Sequence, residues 1–346
     1  MTVRRVAGEP KCRHRNGSRG LPELPPADNV AVMTAAAHDV RPPPVAGLSV
    51  ADAPGDLGAI VIGGFDPDHH SGDRDLADWL RARLWRHGVL CLRMRSALTD
   101  AQHRAVTAMI GPIKDPVSID GAGAPVRYAE EKQIIDSGFV LTDELRAELG
   151  DVALGGDRTR PGLFEAFHTD DSYVPCPASV TVLHARQLPT GPGGATSFID
   201  MRAAYTALAP DARDQLVGLT ATHAYNNRGA FPPRPAASGP LERMIEVSHP
   251  VVRAHPVVDA PALYFDLDRA VRIDQLPVAE GRALLQSLQD HAERDAPRYA
   301  HAWQPHDVLL WDNASVQHKA GGDFAVGEPR RFWRYMVEGT APIAAR

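Results

Sequence analysis

The feature of this sequence that most limits its fold is a series of short β-rich segments that follows residue 168. Turn residues bound these segments, and helical patterns lie only between some of them. They are ASVTVLHARQL, ATSFI, GLTATHAY, ALYFD, DVLLWD and RRFWRYMVEG. Many short strands with a few covering helices predict an α+β, mainly β fold with a β-sandwich or jelly-roll core.

The front of the chain predicts helices that cover this core. Leucines recur at helical spacing within residues 74–88, and Gly88 follows as a stop signal. The same reasoning predicts a buried strand at 89–94, a helix at 98–112 capped by Thr99 or Asp100, a helical turn or two at 142–150 and a helix at 279–295.

The N-terminal residues differ from the rest of the chain. Six Lys or Arg residues within residues 1–19 and two proline-rich stretches predict a disordered leader over residues 1–45. Residues 46–346 are expected to form one domain. The leader lacks the apolar core of a secretory signal. One alternative is a transit peptide. The other is a native start at Met33, in which case residues 1–32 are an extension.

Composition excludes several kinds of partner. The formal net charge is −6, and no apolar run is long enough for a membrane span, so neither nucleic acid nor membrane is expected as a partner. Cys12, Cys91 and Cys176 are far apart and form no CxxC pair, which favours a reducing, cytoplasmic location. The oligomeric state stays open, and a homo-oligomer is one option.

A pair of metal-ligand residue types lies in the stretch EAFHTDDSYVPCPASV. On an extended chain His168 and Asp170 project to the same side and can share one ion. Alone, such a pair is more typical of an incidental surface or hydrogen-bonded contact. A two-histidine, one-carboxylate triad is diagnostic of non-haem Fe(II) oxygenases. The run DVLLWDNASVQH begins with an apolar strand and ends at His318, which makes this histidine the candidate third ligand.

Three arginines follow His318 in an unusual setting. If residues 330–338 form a strand, Arg330 and Arg334 share one face and Arg331 lies on the other. Arginines that face inward near a metal need anionic partners, because unpaired buried charge is costly. A dicarboxylate cofactor and an anionic substrate would supply them. The alternative is an exposed edge strand.

These segments together resemble the taurine / 2,4-dichlorophenoxyacetate dioxygenase (TauD/TfdA) family. The resemblance rests on HTDDSYVPCPASVTVLHARQLPTGPGGATSFIDMRAAYTAL and WDNASVQHKAGGDFAVGEPRRFWRYMVEG, and it covers roughly residues 47–342. It implies a double-stranded β-helix, a jelly-roll variant, and dependence on Fe(II), 2-oxoglutarate and O2. Residues 113–164 fit the family pattern poorly, in a region that helps to form its substrate pocket.

The resemblance also assigns roles to single residues. It makes His168, Asp170 and His318 the iron ligands, and it makes Thr196 and Arg330 the residues that bind the distal carboxylate of 2-oxoglutarate. An insertion in this chain leaves Arg331 as an alternative to Arg330. The substrate side would be formed by Arg334 and by Asp171 and Tyr173, for which a hydrogen-bonded turn and a half-buried aromatic are the simpler interpretation.

The expected activity is hydroxylation of a small anionic organic substrate, with release of succinate and CO2. Cleavage or desaturation can follow hydroxylation. Related halogenases lack the carboxylate ligand, so Asp170 favours a halide-free oxidation. The competing hypotheses are a non-catalytic jelly-roll protein that binds or senses a metal or ligand, and a metal-dependent hydrolase. The substrate stays unidentified.

Overall fold

The computed structural model describes residues 42–114, 166–224, 246–325 and 328–345, with the backbones of three short strands between residues 117 and 136. The helices are α1 Pro67–His70, α2 Arg74–His87, α3 Asp100–Ile110, α4 Met201–Ala207, α5 Pro210–Leu216 and α6 Val278–Asp295. The strands are β1 Ser49–Asp52, β2 Ile60–Gly63, β3 Val89–Arg93, β4 Val117–Ile119, β5 Pro125–Arg127, β6 Gln133–Asp136, β7 Val180–Gln187, β8 Thr196–Asp200, β9 Thr220–Ala224, β10 Glu246–Pro250, β11 Val252–Ala254, β12 Ala262–Leu263, β13 Ala270–Ile273, β14 Arg298–His301, β15 Asp307–Asp312, β16 Val316–Ala320, β17 Arg331–Val337 and β18 Ile343–Ala344.

The largest sheet has seven strands in the order β1-β2-β3-β15-β7-β17-β6. Its pairs are antiparallel except for the parallel pair β2 and β3. Three-stranded sheets of order β14-β8-β16, β10-β9-β13 and β12-β11-β18, and the pair β4-β5, complete the described sheet structure. The seven-stranded sheet therefore places two of the predicted strands, β7 and β15, side by side.

Two of these sheets face each other across one apolar cluster. Leu183 and Leu309 of the large sheet pack there with Phe198 of β8 and Tyr299 of β14. Strand alternation explains this, because neighbouring residues on β7 point to opposite faces. Thr181, Leu183 and Ala185 therefore point between the two sheets.

Helices α2 and α3 cover the other face of the large sheet. Leu76, Leu80 and Leu84 of α2 are almost fully buried and pack in one cluster with Val180 and Val182 of β7. Asp73 caps the N-terminus of α2 through the amide of Leu76, and Gly88 ends the helix at a φ of 73°. Thr99 forms a capping box with Gln102 at the start of α3. Both predicted helices are thus confirmed, with Thr99 rather than Asp100 as the cap.

The coarse fold prediction is confirmed as a mixed α/β protein with mostly sheet content. The predicted ALYFD strand is short, since only Ala262–Leu263 pairs as β12. Apart from residues 42–45, the predicted leader lies outside the described residues, as does the helical turn predicted at 142–150. None of the helices in the described segments combines the length and hydropathy needed to cross a lipid bilayer.

Buried neutral histidines should make the fold acid-sensitive. Burial lowers the pKa of His223 to about 3, and neither ring nitrogen of His223 has a hydrogen-bond partner. In the unfolded chain His223 therefore binds a proton near pH 6.5, whereas in the folded chain it stays neutral until about pH 3. The folded protein loses stability as the pH falls from about 6.5 towards about 3.

The variant His223→Phe removes this effect and keeps a buried ring. Its free energy of unfolding, measured by urea denaturation, should exceed that of the wild type by an amount that grows by about 1 kcal/mol per pH unit below about pH 6. A difference that does not depend on pH would show that His223 takes up its proton as readily in the folded protein as in the unfolded chain.

Candidate active site

Two histidines that are 150 residues apart in sequence (318 − 168) face each other in the structure. His168 and His318 form an isolated antiparallel bridge, in which each backbone amide donates to the other residue's carbonyl at 3.0 and 2.8 Å. Their ring centroids are 4.3 Å apart. His318 is on β16, which pairs with β8, so the bridge extends the small sheet to the chain at residue 168.

Asp170 completes a group of three possible metal ligands. One ligand atom from each of His168, Asp170 and His318 lies within 4.8 Å of the other two. His168 donates from Nδ1 to the carbonyl of Ala166 at 3.0 Å, which leaves Nε2 for coordination. Nε2 of His318 lies 3.8 Å from Oδ2 of Asp170, too far for a hydrogen bond, and its buried Nδ1 has no hydrogen-bond partner.

The charge states of this group suit a metal. Burial alone would raise the pKa of Asp170, but His318, Arg334 and His168 and a hydrogen bond from Thr181 outweigh it and lower the pKa to about 2. Burial, together with His168, lowers the pKa of His318 to about 3. The group therefore offers a carboxylate and a neutral imidazole at neutral pH, as coordination requires. Two imidazoles and one carboxylate fit the donor set for Fe(II).

Cys91, His301 and Asp307 form a second buried group with metal-ligand residue types. Its polar atoms already have partners within the protein. His301 contacts Asp307 at 3.1 Å through Nε2 and the hydroxyl of Tyr299 at 2.6 Å through Nδ1. Arg93 donates two hydrogen bonds to Asp307 at 3.0 and 3.2 Å. The guanidinium already neutralises the carboxylate, so this cluster joins β3, β14 and β15 without an ion.

Thr196 and Arg330 form a buried pair, each 3% exposed. Arg330 donates from Nη2 to Oγ1 of Thr196 at 3.2 Å and from Nε to the carbonyl of Gly194 at 3.0 Å. Gly194 has a φ of 74°, and a Cβ there would lie 3.4 Å from Nε of Arg330. The left-handed backbone at this φ, rather than the space beside the guanidinium, therefore favours glycine at this position.

Trp303 adds a second donor to the hydroxyl of Thr196. Its Nε1 donates to Oγ1 at 3.0 Å. Indole and guanidinium groups only donate, so both lone pairs of Oγ1 accept, and the Thr196 hydroxyl proton is left to point elsewhere. The result is a threonine O–H and a buried arginine side by side, which fits a carboxylate.

The role of Trp303 predicts a moderate effect on 2-oxoglutarate binding. The variant Trp303→Phe keeps the ring but loses one hydrogen bond, so the dissociation constant for 2-oxoglutarate should rise about 3- to 10-fold. Calorimetric titration of the Mn(II)-loaded protein measures this constant. An unchanged constant would show that the Thr196 hydroxyl needs no second donor.

The register of β17 separates the two candidate arginines. A bulge lies between Arg331 and Phe332, where the pairing with β7 shifts. Arg330 precedes the strand and contacts Thr196, whereas Arg331 is exposed. The structure therefore places Arg330, and not Arg331, beside Thr196.

The predicted substrate residues fall into two places. Arg334 donates to Oδ1 of Asp170 at 3.3 Å, and its side chain is 22% exposed. Asp171 adopts a φ of 58° in a turn, so the extended chain stops after Asp170. The Asp171 carboxylate pairs with Lys114 and accepts from the hydroxyl of Tyr173 at 3.2 Å. The predicted substrate residues Asp171 and Tyr173 are thus hydrogen-bonded to each other. Their neighbour Lys114 was not indicated by the sequence.

Comparisons with known proteins identify the family of this chain. The profile of the family "Taurine catabolism dioxygenase TauD, TfdA family" matches residues 49–336. An alpha-ketoglutarate-dependent 2,4-dichlorophenoxyacetate dioxygenase of Cupriavidus pinatubonensis is 33% identical over 64% of this chain and 75% of its own. An (S)-phenoxypropionate/alpha-ketoglutarate-dioxygenase of Sphingobium herbicidovorans is 33% identical over 82% of this chain and 92% of its own.

A solved structure shares the fold. The crystal structure of AAD-2 in complex with Mn(II) and N-oxalylglycine superposes with a TM-score of 0.64, at 24% identity over 86% of this chain and all of that one. The family resemblance of the sequence is therefore confirmed: the chain belongs to the taurine catabolism dioxygenase TauD, TfdA family.

Proposed function

We propose that this protein is a Fe(II)- and 2-oxoglutarate-dependent dioxygenase that hydroxylates a small anionic organic molecule. The carrying observation is that His318 of the triad and Thr196 of the Thr196–Arg330 pair lie on two paired strands, β16 and β8. The register pairs His318 with Phe198 and Ala320 with Thr196. Thr196 is thus two residues along β8, about 7 Å, from the position opposite His318. That separation is on the scale of a five-carbon dicarboxylate.

The protein side of the mechanism is binding, orientation and charge. His168, Asp170 and His318 would hold the iron, and Thr196 with Arg330 would anchor the distal carboxylate of 2-oxoglutarate. Bound iron supplies the activation of O2 and the oxidative decarboxylation of 2-oxoglutarate. Because Asp170, His318, Thr196 and Arg330 are buried, their charges act in a low-dielectric interior, where a guanidinium discriminates strongly for an anion. The two facing sheets are consistent with a double-stranded β-helix, the finer fold that we infer.

Arg334 supports an acidic substrate group. Its guanidinium is beside the triad and partly exposed, so it can contact a ligand that lies next to the metal. The two relatives are named for a phenoxyacetate and a phenoxypropionate, which are aryloxy acids. Cleavage can follow hydroxylation, since a hydroxyl placed beside an ether oxygen makes a product that can fragment.

The test uses matched substrates rather than an Arg334 variant, because Arg334 also contacts Asp170. Purified protein with Fe(II), 2-oxoglutarate and O2 is given aryloxy acids, sulfonates and sulfate esters, each beside its neutral ester or amide analogue. Succinate should form with an anionic member and not with its neutral analogue. It should require both Fe(II) and 2-oxoglutarate. Turnover that prefers the neutral analogues would reject an anionic substrate, and binding of both cofactors without any succinate would favour the sensor hypothesis.

The family matches favour catalysis over that alternative, because the relatives are named dioxygenases. The hydrolase hypothesis gives the Thr196–Arg330 pair no role.

A further inference from the structure

A chain of buried hydrogen bonds leads from the WDN run to the carboxylate of Asp170. Trp311 donates from Nε1 to Oδ1 of Asn313 at 3.0 Å. Asn313 donates from Nδ2 to Oγ1 of Thr181 at 3.0 Å. Thr181 donates from Oγ1 to Oδ2 of Asp170 at 2.6 Å. These four side chains are buried, and none is more than 8% exposed.

Each step of this chain has only one possible direction. The indole of Trp311 can only donate, so the amide oxygen of Asn313 must face it. The amide nitrogen of Asn313 then faces Thr181 and donates to its oxygen. The hydroxyl proton of Thr181 is left for Asp170, which as a carboxylate can only accept. Because the indole of Trp311 can only donate, it fixes the hydrogen-bond direction of all four groups.

The strand register brings these groups together. Thr181 of β7 pairs directly with Trp311 of β15, so both side chains project from the same face. Asn313 follows the end of β15, while Asp312 between them turns to another partner and contacts His255 at 2.8 Å. The alternation of a strand thus divides the WDN run between two networks.

Asn313 also holds the chain next to Asp170. The hydroxyl of Thr169 donates to the backbone carbonyl of Asn313 at 3.0 Å. The backbone amide of Asn313 donates to the carbonyl of Ser179 at 3.0 Å. Thr169, which lies between the ligands His168 and Asp170, is thereby hydrogen-bonded directly to Asn313. The Asp170 side chain is linked to Asn313 through Thr181.

Within the part of the chain that the structure describes, each oxygen of Asp170 has one hydrogen-bond donor. Oδ2 accepts from Thr181, and Oδ1 accepts from Arg334 at 3.3 Å. A donor on each oxygen fixes the rotation of the carboxylate about its Cβ–Cγ bond, and one lone pair per oxygen stays free. Oδ2 is the oxygen nearer to Nε2 of His318, so Thr181 sets its direction towards the position that the triad shares.

We propose that Thr181 and Asn313 are positioning residues, which orient the Asp170 carboxylate and so set the affinity and geometry of the metal site. This inference rests on the proposed metal site of the proposed function. Outer partners of metal ligands typically contribute about 10- to 100-fold to metal affinity. The WDN run provides no metal ligand, and Asn313 gives it a role at the metal site through Thr181.

The test measures metal binding by the whole protein without 2-oxoglutarate or substrate. Thr181→Val removes the hydroxyl at nearly constant volume, and Mn(II) affinity by calorimetry should fall about 10- to 100-fold. Thr181→Ser restores the donor and should bind within about 3-fold of the wild type, less than the loss of a full hydrogen bond. The absorption spectrum of the Co(II)-loaded protein should change in the valine variant and not in the serine variant.

A matched control separates positioning from loss of fold. Thr107 is fully buried on α3 and donates to the carbonyl of His103 at 2.9 Å, away from the triad. Thr107→Val should therefore keep the wild-type Mn(II) affinity and Co(II) spectrum. If Thr181→Val does not fold, Asn313→Asp serves instead, because an acceptor there competes with Asp170 for the Thr181 proton and should weaken Mn(II) binding.

The outcomes distinguish the two proposals. If the wild type binds no Mn(II), the proposed metal site fails, and this inference fails with it. If the wild type binds Mn(II) and loses it in His168→Ala, while Thr181→Val and Asn313→Asp keep wild-type affinity and spectrum, the positioning role alone is overturned.

Discussion

Replacing His168 with alanine should abolish metal binding and 2-oxoglutarate turnover while the protein stays folded. Loss of an outer partner costs about 10- to 100-fold in metal affinity, so loss of a direct ligand should exceed about 100-fold. Only His318 and Asp170 would remain, and two ligands do not complete the facial arrangement. The measurement is Mn(II) affinity by calorimetry, followed by succinate formation with Fe(II).

The control for His168→Ala is a histidine far from the triad. His69 is exposed, with 78% of its side chain accessible to solvent, and Nδ1 of its ring lies 2.9 Å from the nearby carboxylate of Asp66. His69→Ala should keep both metal affinity and succinate formation. Full Mn(II) affinity in His168→Ala would end the assignment of His168 as a ligand.

The second large effect is expected at Arg330. Truncating one partner of a buried, hydrogen-bonded charge pair costs about 2–5 kcal/mol. Arg330→Ala should therefore weaken 2-oxoglutarate binding on the order of 100-fold or more, since each 1.4 kcal/mol is about tenfold. Titration of 2-oxoglutarate into the Mn(II)-loaded protein measures this without turnover. Metal affinity itself should change little, because Arg330 contacts Thr196 and Gly194 rather than the triad.

Arg331 provides the matched control for this experiment. It is the next residue in the chain and has the same side chain, but it is exposed. Arg331→Ala should bind 2-oxoglutarate within about 3-fold of the wild type, as expected for a surface charge. A large loss in Arg331→Ala with little change in Arg330→Ala would mean that the register of β17 is off by one residue.

Two neighbouring strands of the large sheet were predictable because their apolar runs are long. β7 and β15 are almost entirely buried, and each matches its predicted segment. Short strands such as β14 and β18 escaped prediction, since four or two residues give no measurable alternation. The meeting of His168 with His318 depends on a single bridge between distant segments, which local sequence does not encode. Only the family resemblance brought them together.

The residues that the sequence did not reveal act through other residues. Trp303 lies outside the strands, and nothing local connects it with Thr196, 107 residues earlier. Thr181 is a polar residue in an apolar strand, which was a usable signal, but its partner Asn313 is 132 residues away. Asp171 lies in a left-handed turn, which ended the extended pattern assumed for HTDD.

Isotopic labelling tests the central claim most directly. The protein is incubated with Fe(II), 2-oxoglutarate, oxygen-18 gas and the anionic substrate selected by the matched panel, and the succinate is analysed by mass spectrometry. In the balanced reaction one oxygen atom of O2 enters succinate and the other oxidises the substrate. We expect one oxygen-18 atom in each succinate molecule, and we expect the His168→Ala variant to form no succinate. Succinate without the label, or formed equally by that variant, would contradict it.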